Sequence, residues 1–206
     1  MSSSSHSFPA THERGRPREF DADATISAAV EVFRSHGYHA TSIENLCQAT
    51  GVLRGSLYGA FGDKRGMFLA ALDQYAEGGL VRLADRLNVT PFTRESMREA
   101  LLYYTRNVST LAGGRGCLVT RTAMELLPDD AEVAKRIERF MRRMAALLSA
   151  SVVRGQASGL FNKELDERII GNMLLCTIQG LWVLGKVIRN EAELGLIVDA
   201  AMKVLD

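Results

Sequence analysis

The stretch Thr41–Lys64, TSIENLCQATGVLRGSLYGAFGDK, constrains the chain more than any other. Thr41 followed three residues later by Glu44 makes a capping-box pattern, which starts a helix. Ile43, Leu46 and Cys47 then recur at helical spacing, so that helix buries one face. Gly51 stops it, being the residue that takes a left-handed conformation without steric cost. A second short helix, about Arg54 to Phe61, turns Leu57 and Phe61 inward and leaves Arg54, Ser56 and Tyr58 outside. Two short helices joined by such a turn form a helix-turn-helix, whose second helix lies in the major groove of DNA.

The residues around this unit carry a family resemblance. Phe33 and Gly37 close a preceding helix, Thr41 opens the next, and Ala49, Gly51, Val52, Leu57, Tyr58, Phe61 and Lys64 follow at fixed spacing. The pattern resembles the DNA-binding headpiece of the tetracycline-repressor (TetR) family over about residues 20 to 75. Beyond that the likeness is one of length and helical pattern. The resemblance implies an all-α fold of about nine helices: a three-helix DNA-binding headpiece, then a helical ligand-binding and dimerisation domain whose last two helices build a four-helix interface. Leu53 departs from the pattern where a Ser or Thr usually caps the recognition helix. Gly59 and Ala60 stand where aromatic or His side chains are frequent, and Arg65 replaces the more frequent acid.

Net charge does not carry the DNA reading. The 206-residue chain has a formal charge of +1. In the headpiece and arm, seven basic side chains (Arg14, Arg16, Arg18, Arg34, Arg54, Lys64, Arg65) face seven acidic ones (Glu13, Glu19, Asp21, Asp23, Glu31, Glu44, Asp63). Local placement of Lys and Arg, which neutralises phosphates, has to supply what bulk charge does not. An apolar content of 47% is enough for a sizeable core. Three scattered cysteines argue against a disulfide framework and for a reducing, cytoplasmic setting. The N-terminus lacks a signal-peptide pattern, and the most apolar run, Met173 to Val187, is too short to span a bilayer, so no membrane partner is expected.

In chain order, residues 1–19 read as a disordered basic arm, in which Arg14, Arg16 and Arg18 either reach DNA or merely solubilise. Residues 20–66 read as the DNA-binding domain, with a first helix from about Ala22 to His36. Residues 67–206 read as the ligand-binding and dimerisation domain. Asp63 caps a helix to about Leu87, and further helices are expected at about 93–112, 117–127, 130–156, 166–189 and 191–205. The helix at 166–189 is apolar on more than one face and so needs partners on both sides. A dimer is also what a single short reading helix requires for specificity. The segments expected at the interface include Met173, Ile178, Leu181, Gly185, Leu194, Ile197, Val198 and Ala201, with Gly171, Gly180 and Gly185 permitting close helix approach.

Candidate DNA contacts are Tyr58 and Lys64 to phosphate, Arg54 to a guanine edge or a phosphate, Gly55 for close backbone approach, Ser56, and Arg16 and Arg18 of the arm. Thr41 is read as a cap that also reaches a phosphate, or as a cap alone. For the ligand cavity implied by the resemblance, candidates are Tyr103, Tyr104, Asn107, Cys117, Thr120, Met124, Phe140, Met144, Cys176, Gln179 and Trp182. The competing reading of each is plain core. Their chemistry points to a hydrophobic or aromatic effector.

The expected function is a homodimeric transcriptional repressor released from a palindromic double-stranded operator by such an effector. The alternative is a thiol-sensing regulator on the same scaffold, with Cys117 or Cys176 modified. No metal-ligand spacing, nucleophile elbow, paired carboxylates or cofactor motif is present, and all four histidines fall in the arm or headpiece, so an enzyme is not expected.

Overall fold

The computed structural model describes residues 21–110 and 115–206. Arg14, Arg16 and Arg18, and with them the expected arm, lie outside the described residues, as do Gly113 and Gly114. Among the described residues nine helices form and no strand: α1 (Ala22–His36), α2 (Ile43–Thr50), α3 (Arg54–Phe61), α4 (Lys64–Leu87), α5 (Arg94–Ser109), α6 (Leu118–Leu126), α7 (Ala131–Ala157), α8 (Glu167–Leu184) and α9 (Glu191–Lys203).

Local chemistry explains most boundaries. Asp21, Asp63, Thr93, Asp130, Asp166 and Asn190 each accept an amide N–H from the first turn of the helix that follows. The start of α2 corrects the expectation. Ser42, not Thr41, is its cap: the Ser42 hydroxyl accepts from the Asn45 amide at 3.1 Å, and the Asn45 side chain accepts from the Ser42 amide at 2.9 Å. Thr41 is buried, and its hydroxyl donates to the Gly37 carbonyl at 2.5 Å. Two adjacent hydroxyls competed for one cap, and the chain's turn after Gly37 decided between them. Gly51 ends α2 at φ 69°, ψ 13°, as expected.

The headpiece core is Phe33, Leu46, Leu57 and Phe68, each at most 2% exposed, with Phe33 and Phe68 in edge contact at 5.1 Å. Burying each such side chain contributes roughly 1.5–3 kcal/mol. The long α4, about 36 Å at 1.5 Å per residue, packs on α1 at one end and on α5 and α7 further along. It runs unbroken from the headpiece into the body.

In the body, α7 lies along α8 and α5 lies between α4, α8 and α9. Gly171 lets α8 press onto α7, since a Cβ there would collide with Ser149 and come within 3.0 Å of the Ala145 carbonyl oxygen. A Cβ on Gly185 would collide with Val108 of α5. Both glycines therefore serve close packing inside one chain, not between subunits as expected. The same correction applies to Ile178, Leu181, Leu194, Val198 and Ala201, which are buried in a single chain. Met173 and Ile197 stay half-exposed. The helix α8 also ends earlier than its apolar run, at Leu184, followed by a turn in which Val187 and Ile188 donate to the Leu184 carbonyl.

Candidate functional site

One side of α3 is bare. Leu57 is buried, while Leu53, Arg54, Gly55, Ser56, Gly59 and Ala60 are exposed and Tyr58 is half-exposed. Leu53 at the N-cap position provides no side-chain cap; the Ser56 amide donates to the Leu53 carbonyl at 3.0 Å, which leaves the Arg54 and Gly55 amides open to phosphate oxygens. The absence of side chains at Gly55 and Gly59 keeps this face low; a Cβ at either would meet open space.

Arg54 lies across this face. It donates to Glu44 of α2 at 3.2 Å and to the Tyr58 hydroxyl at 3.1 Å, with its guanidinium 5.3 Å from the centre of the Tyr58 ring. The Tyr58 hydroxyl raises the Arg54 pKa. The Glu44 carboxyl is held below its ordinary value by its own backbone amide, then by Ser42, with Arg54 adding to the effect. Exposed pairs of this kind are weakly held, so a guanine edge or a phosphate can compete for the guanidinium. Glu44 is the group on this face that sequence reasoning missed; its assignment to a capping box concealed it.

Lys64 is placed differently from the expectation. Its ammonium donates to the carbonyls of Tyr38 and Thr41, both at 3.0 Å, and sits 4.5 Å over the Tyr38 ring. It braces the turn before α2, and one of its three N–H donors is left for a phosphate. Thr41 is withdrawn as a phosphate contact, because it is 1% exposed and its hydroxyl is engaged. Arg65, the departure from the family pattern beside Lys64, is engaged by the body: it donates to Asp130 at 2.6 and 3.1 Å and to Glu132 at 2.9 Å. That fork holds the Asp130 carboxyl down at about 2.

Behind the headpiece lies a cavity of about 560 Å³. Helix α5 contributes Tyr103, Tyr104 and Asn107; α7 contributes Phe140 and Met144; α8 contributes Gln179 and Trp182; Cys117 closes it at the foot of α6. These eight were expected from the sequence. The aromatic rings meet edge-on, Tyr103 to Tyr104 at 5.3 Å and Tyr104 to Trp182 at 6.3 Å. Three other candidates lie elsewhere. Thr120 and Met124 line a second cavity of about 410 Å³ that also touches Cys117 and Trp182, while Met124 itself is 84% exposed. Cys176 is exposed and lines neither. Outward placement on α6 and α8 explains Met124 and Cys176, whereas Thr120 is half-buried and donates to Gln179 of the main cavity at 2.6 Å.

Two walls of the main cavity were not foreseen. One is α4, with Gln74, Tyr75, Gly78, Gly79 and Arg82; the other is α1 of the headpiece, with Ser27, Val30, Glu31 and Arg34. A polar residue and a Gly pair recurring every turn inside an otherwise amphipathic helix was the signal available. Burial pushes the Tyr75 phenol up, and the adjoining Cys117 thiol adds to this against the opposing Arg34; burial likewise raises Tyr104. Both stay protonated at neutral pH.

The cavity wall is tied to the DNA-facing unit. Arg34 donates to the Gly116 carbonyl at 3.1 and 3.2 Å, and Glu31 bridges Arg34 at 2.9 Å and Arg115 at 2.6 Å. On α6, the Glu125 carboxylate accepts the amides of Tyr38 at 3.0 Å and His39 at 2.7 Å. The turn that leads into α2 therefore hangs from the helix whose N-cap is Cys117.

The comparisons with known proteins agree with this geometry. Residues 26–71 match the family model described as bacterial regulatory proteins, tetR family, and residues 94–201 match the tetracyclin repressor-like C-terminal domain. The chain is similar to the HTH-type transcriptional repressor ComR of Escherichia coli, 31% identical over 82% of this chain and 80% of that one. It is also similar to the uncharacterized HTH-type transcriptional regulator YezE of Bacillus subtilis, 29% identical over 93% of this chain and all of that one. Among solved structures, a cysteine mutant of the regulator CifR with a 26 bp operator duplex superimposes with a TM-score of 0.82 at 28% identity, covering 93% of this chain and all of that one.

Proposed function

The chain belongs to the tetR family of bacterial regulatory proteins, which are DNA-binding transcription factors and not enzymes, and from that premise we propose that it is a dimeric repressor released from a palindromic operator by a small apolar or aromatic effector. Residues 20–66 are the DNA-binding unit of this proposal and 67–206 the ligand-binding and dimerisation unit. Arg54, Gly55, Ser56 and Tyr58 meet the operator, with the remaining N–H of Lys64 and, from outside the described residues, Arg16 and Arg18.

The observation that carries the reading is the composition of the cavity wall. Its lining includes Val30, Glu31 and Arg34 of α1 together with Phe140 and Trp182 of the body. A ligand that prefers one separation of these walls shifts the orientation of the headpiece, and lowers DNA affinity as far as it distinguishes the two shapes. Similarity to a relative named as a repressor and to a regulator solved with its operator supports the same reading.

Dimerisation rests on an exposed apolar face. On α8 and just beyond it Ile169, Val183, Leu184 and Val187 are exposed, as are Leu196 and Val204 at the end of the chain. Several large apolar side chains left exposed on two successive helices fit an interaction surface, and a two-fold pairing there presents two α3 helices to two half-sites. Selection of bound duplexes from random DNA tests the reading. A recovered palindrome, with affinity falling when a cavity ligand is added, is the expected result; no enrichment, or asymmetric sites only, would sink it.

A thiol-sensing mode is a second reading, favoured by the position of Cys117. This buried thiol borders both cavities and adjoins the Tyr75 phenol, so its modification would alter the same wall. Cys117→Ser should then keep operator binding in the presence of an oxidant that releases the parent protein. Equal release from both proteins removes this mode.

A further inference from the structure

We infer that the cavity is built for a flat hydroxyaryl carboxylate, an aromatic acid with a hydrogen-bond donor at the end opposite its carboxylate, and that Arg82 is its anion anchor. The inference rests on the effector reading above and specifies its chemistry. The first observation is charge. Three ionised side chains line the cavity: Glu31, Arg34 and Arg82. Glu31 has one oxygen on Arg34 and the other on Arg115, and Arg34 also donates to the Gly116 carbonyl. Arg82 differs. Its backbone carbonyl accepts from Arg86 at 3.0 Å, but its guanidinium makes no hydrogen bond or ion pair with any described residue, and its charge is felt at the buried Tyr104 hydroxyl. The cavity therefore offers one uncompensated guanidinium, the group best suited to hold a planar carboxylate.

A second observation is the floor. Gly78 and Gly79 stand in the interior of α4, where glycine is less favourable than alanine. A Cβ on Gly78 would lie 3.0 Å from Arg82 Nη1, and one on Gly79 would lie 3.4 Å from the Phe140 ring. The missing side chains let the guanidinium fold back along the helix and leave a flat strip facing Phe140 and Tyr104. A planar ring fills that strip where a branched aliphatic body does not.

A third observation sits at the far end. The Gln74 amide nitrogen donates to Ser27 Oγ at 3.3 Å, while Gln74 Oε1 is buried without a partner. A buried acceptor lacking a donor is unfavourable until something supplies one. Gln74 lies one turn from Gly78, where the guanidinium rests, and two turns from Arg82, so the two polar ends are roughly 6–12 Å apart at 1.5 Å per residue. A phenolic hydroxyl para to the acid-bearing chain spans that interval.

The test uses the full chain and three probes: 4-hydroxycinnamate, its uncharged amide, and cinnamate, which lacks the hydroxyl. Calorimetric titration should show the hydroxy acid binding about tenfold or more tightly than the amide, and several-fold more tightly than cinnamate. Arg82→Gln should abolish the preference for acid over amide, Arg82→Lys should restore part of it, and Gln74→Leu should abolish the preference for hydroxycinnamate over cinnamate. Circular dichroism and dimer mass check that each variant is folded. Equal affinity for acid and amide, an unchanged preference in Arg82→Gln, or no binding of any probe would overturn the inference. Operator affinity measured in parallel separates it from the broader reading. Tight, Arg82-dependent acid binding with unaltered DNA affinity refutes effector-controlled release and leaves the ligand assignment standing. Release by a neutral apolar compound alone does the reverse.

Discussion

Arg54 and Glu44 share one hydrogen bond on the face proposed to meet DNA, and that pairing sets opposite expectations for the two residues. Arg54→Ala removes the proposed contact to a guanine edge or a phosphate and should weaken operator binding ten- to hundredfold, while helicity and dimer mass stay unchanged. Glu44→Ala removes a carboxylate that competes with the DNA for the same guanidinium and repels phosphates. It should tighten binding to unrelated duplex several-fold and narrow the gap between operator and non-operator, as read by fluorescence anisotropy at fixed salt. Unaltered binding in Arg54→Ala would mean that α3 is not the reading helix. At Asp130 the expectation concerns pH. Its folded pKa, about 2, lies below the ordinary carboxylate value because Arg65 donates to it and the Val133 amide adds a hydrogen bond. A depressed folded pKa gives stability that is present above about pH 4 and is lost as pH falls towards 2. Thermal unfolding of the parent protein should therefore fall over that window, and the fall should flatten in Asp130→Asn.

Helix packing decides the next scale. Gly171 brings α8 onto α7 so closely that Gly171→Ala must push the helices apart, since two of the nearest atoms are backbone of α7. Overpacking of this kind costs about 1–3 kcal/mol, which urea unfolding would register. Between headpiece and body, Glu125 on α6 holds the amides of Tyr38 and His39. Glu125→Ala should speed hydrogen exchange at those two amides without speeding it in the α7–α8 core. Exchange that stays unchanged there would show that α6 does not tether the turn. Most element boundaries were legible beforehand because they are set by neighbours in the chain. Asp63 caps α4 and Gly51 ends α2 whatever surrounds them. The start of α2 was misread by one residue because Thr41 and Ser42 both satisfy a local pattern. Only the position of the Gly37 carbonyl assigned Thr41 to the interior.

For the whole molecule, the exposed stripe Ile169, Val183, Leu184 and Leu196 is the surface proposed to join two copies. Val183→Glu should give a monomer by light scattering, with helicity retained and operator binding lost, since one headpiece contacts a single half-site. A dimer that survives this change would place the interface elsewhere. The headpiece and the all-helical class were determined by the sequence by itself, because caps, turn glycine and apolar period are all relations between residues a few positions apart. Eight cavity residues were also readable, as Met, aromatic and amide side chains on inward faces and a Cys at a helix start. Which face of α8 is inward was decided by tertiary structure alone. That helix is apolar on several sides, so periodicity could not separate buried Ile178 and Leu181 from exposed Ile169 and Val183. The same holds for the cavity's polar groups. Gln74 and Arg82 of α4 lie 40 or more positions along the chain from Arg34 of α1, and only the crossing of α4 with α1 turns them towards one space.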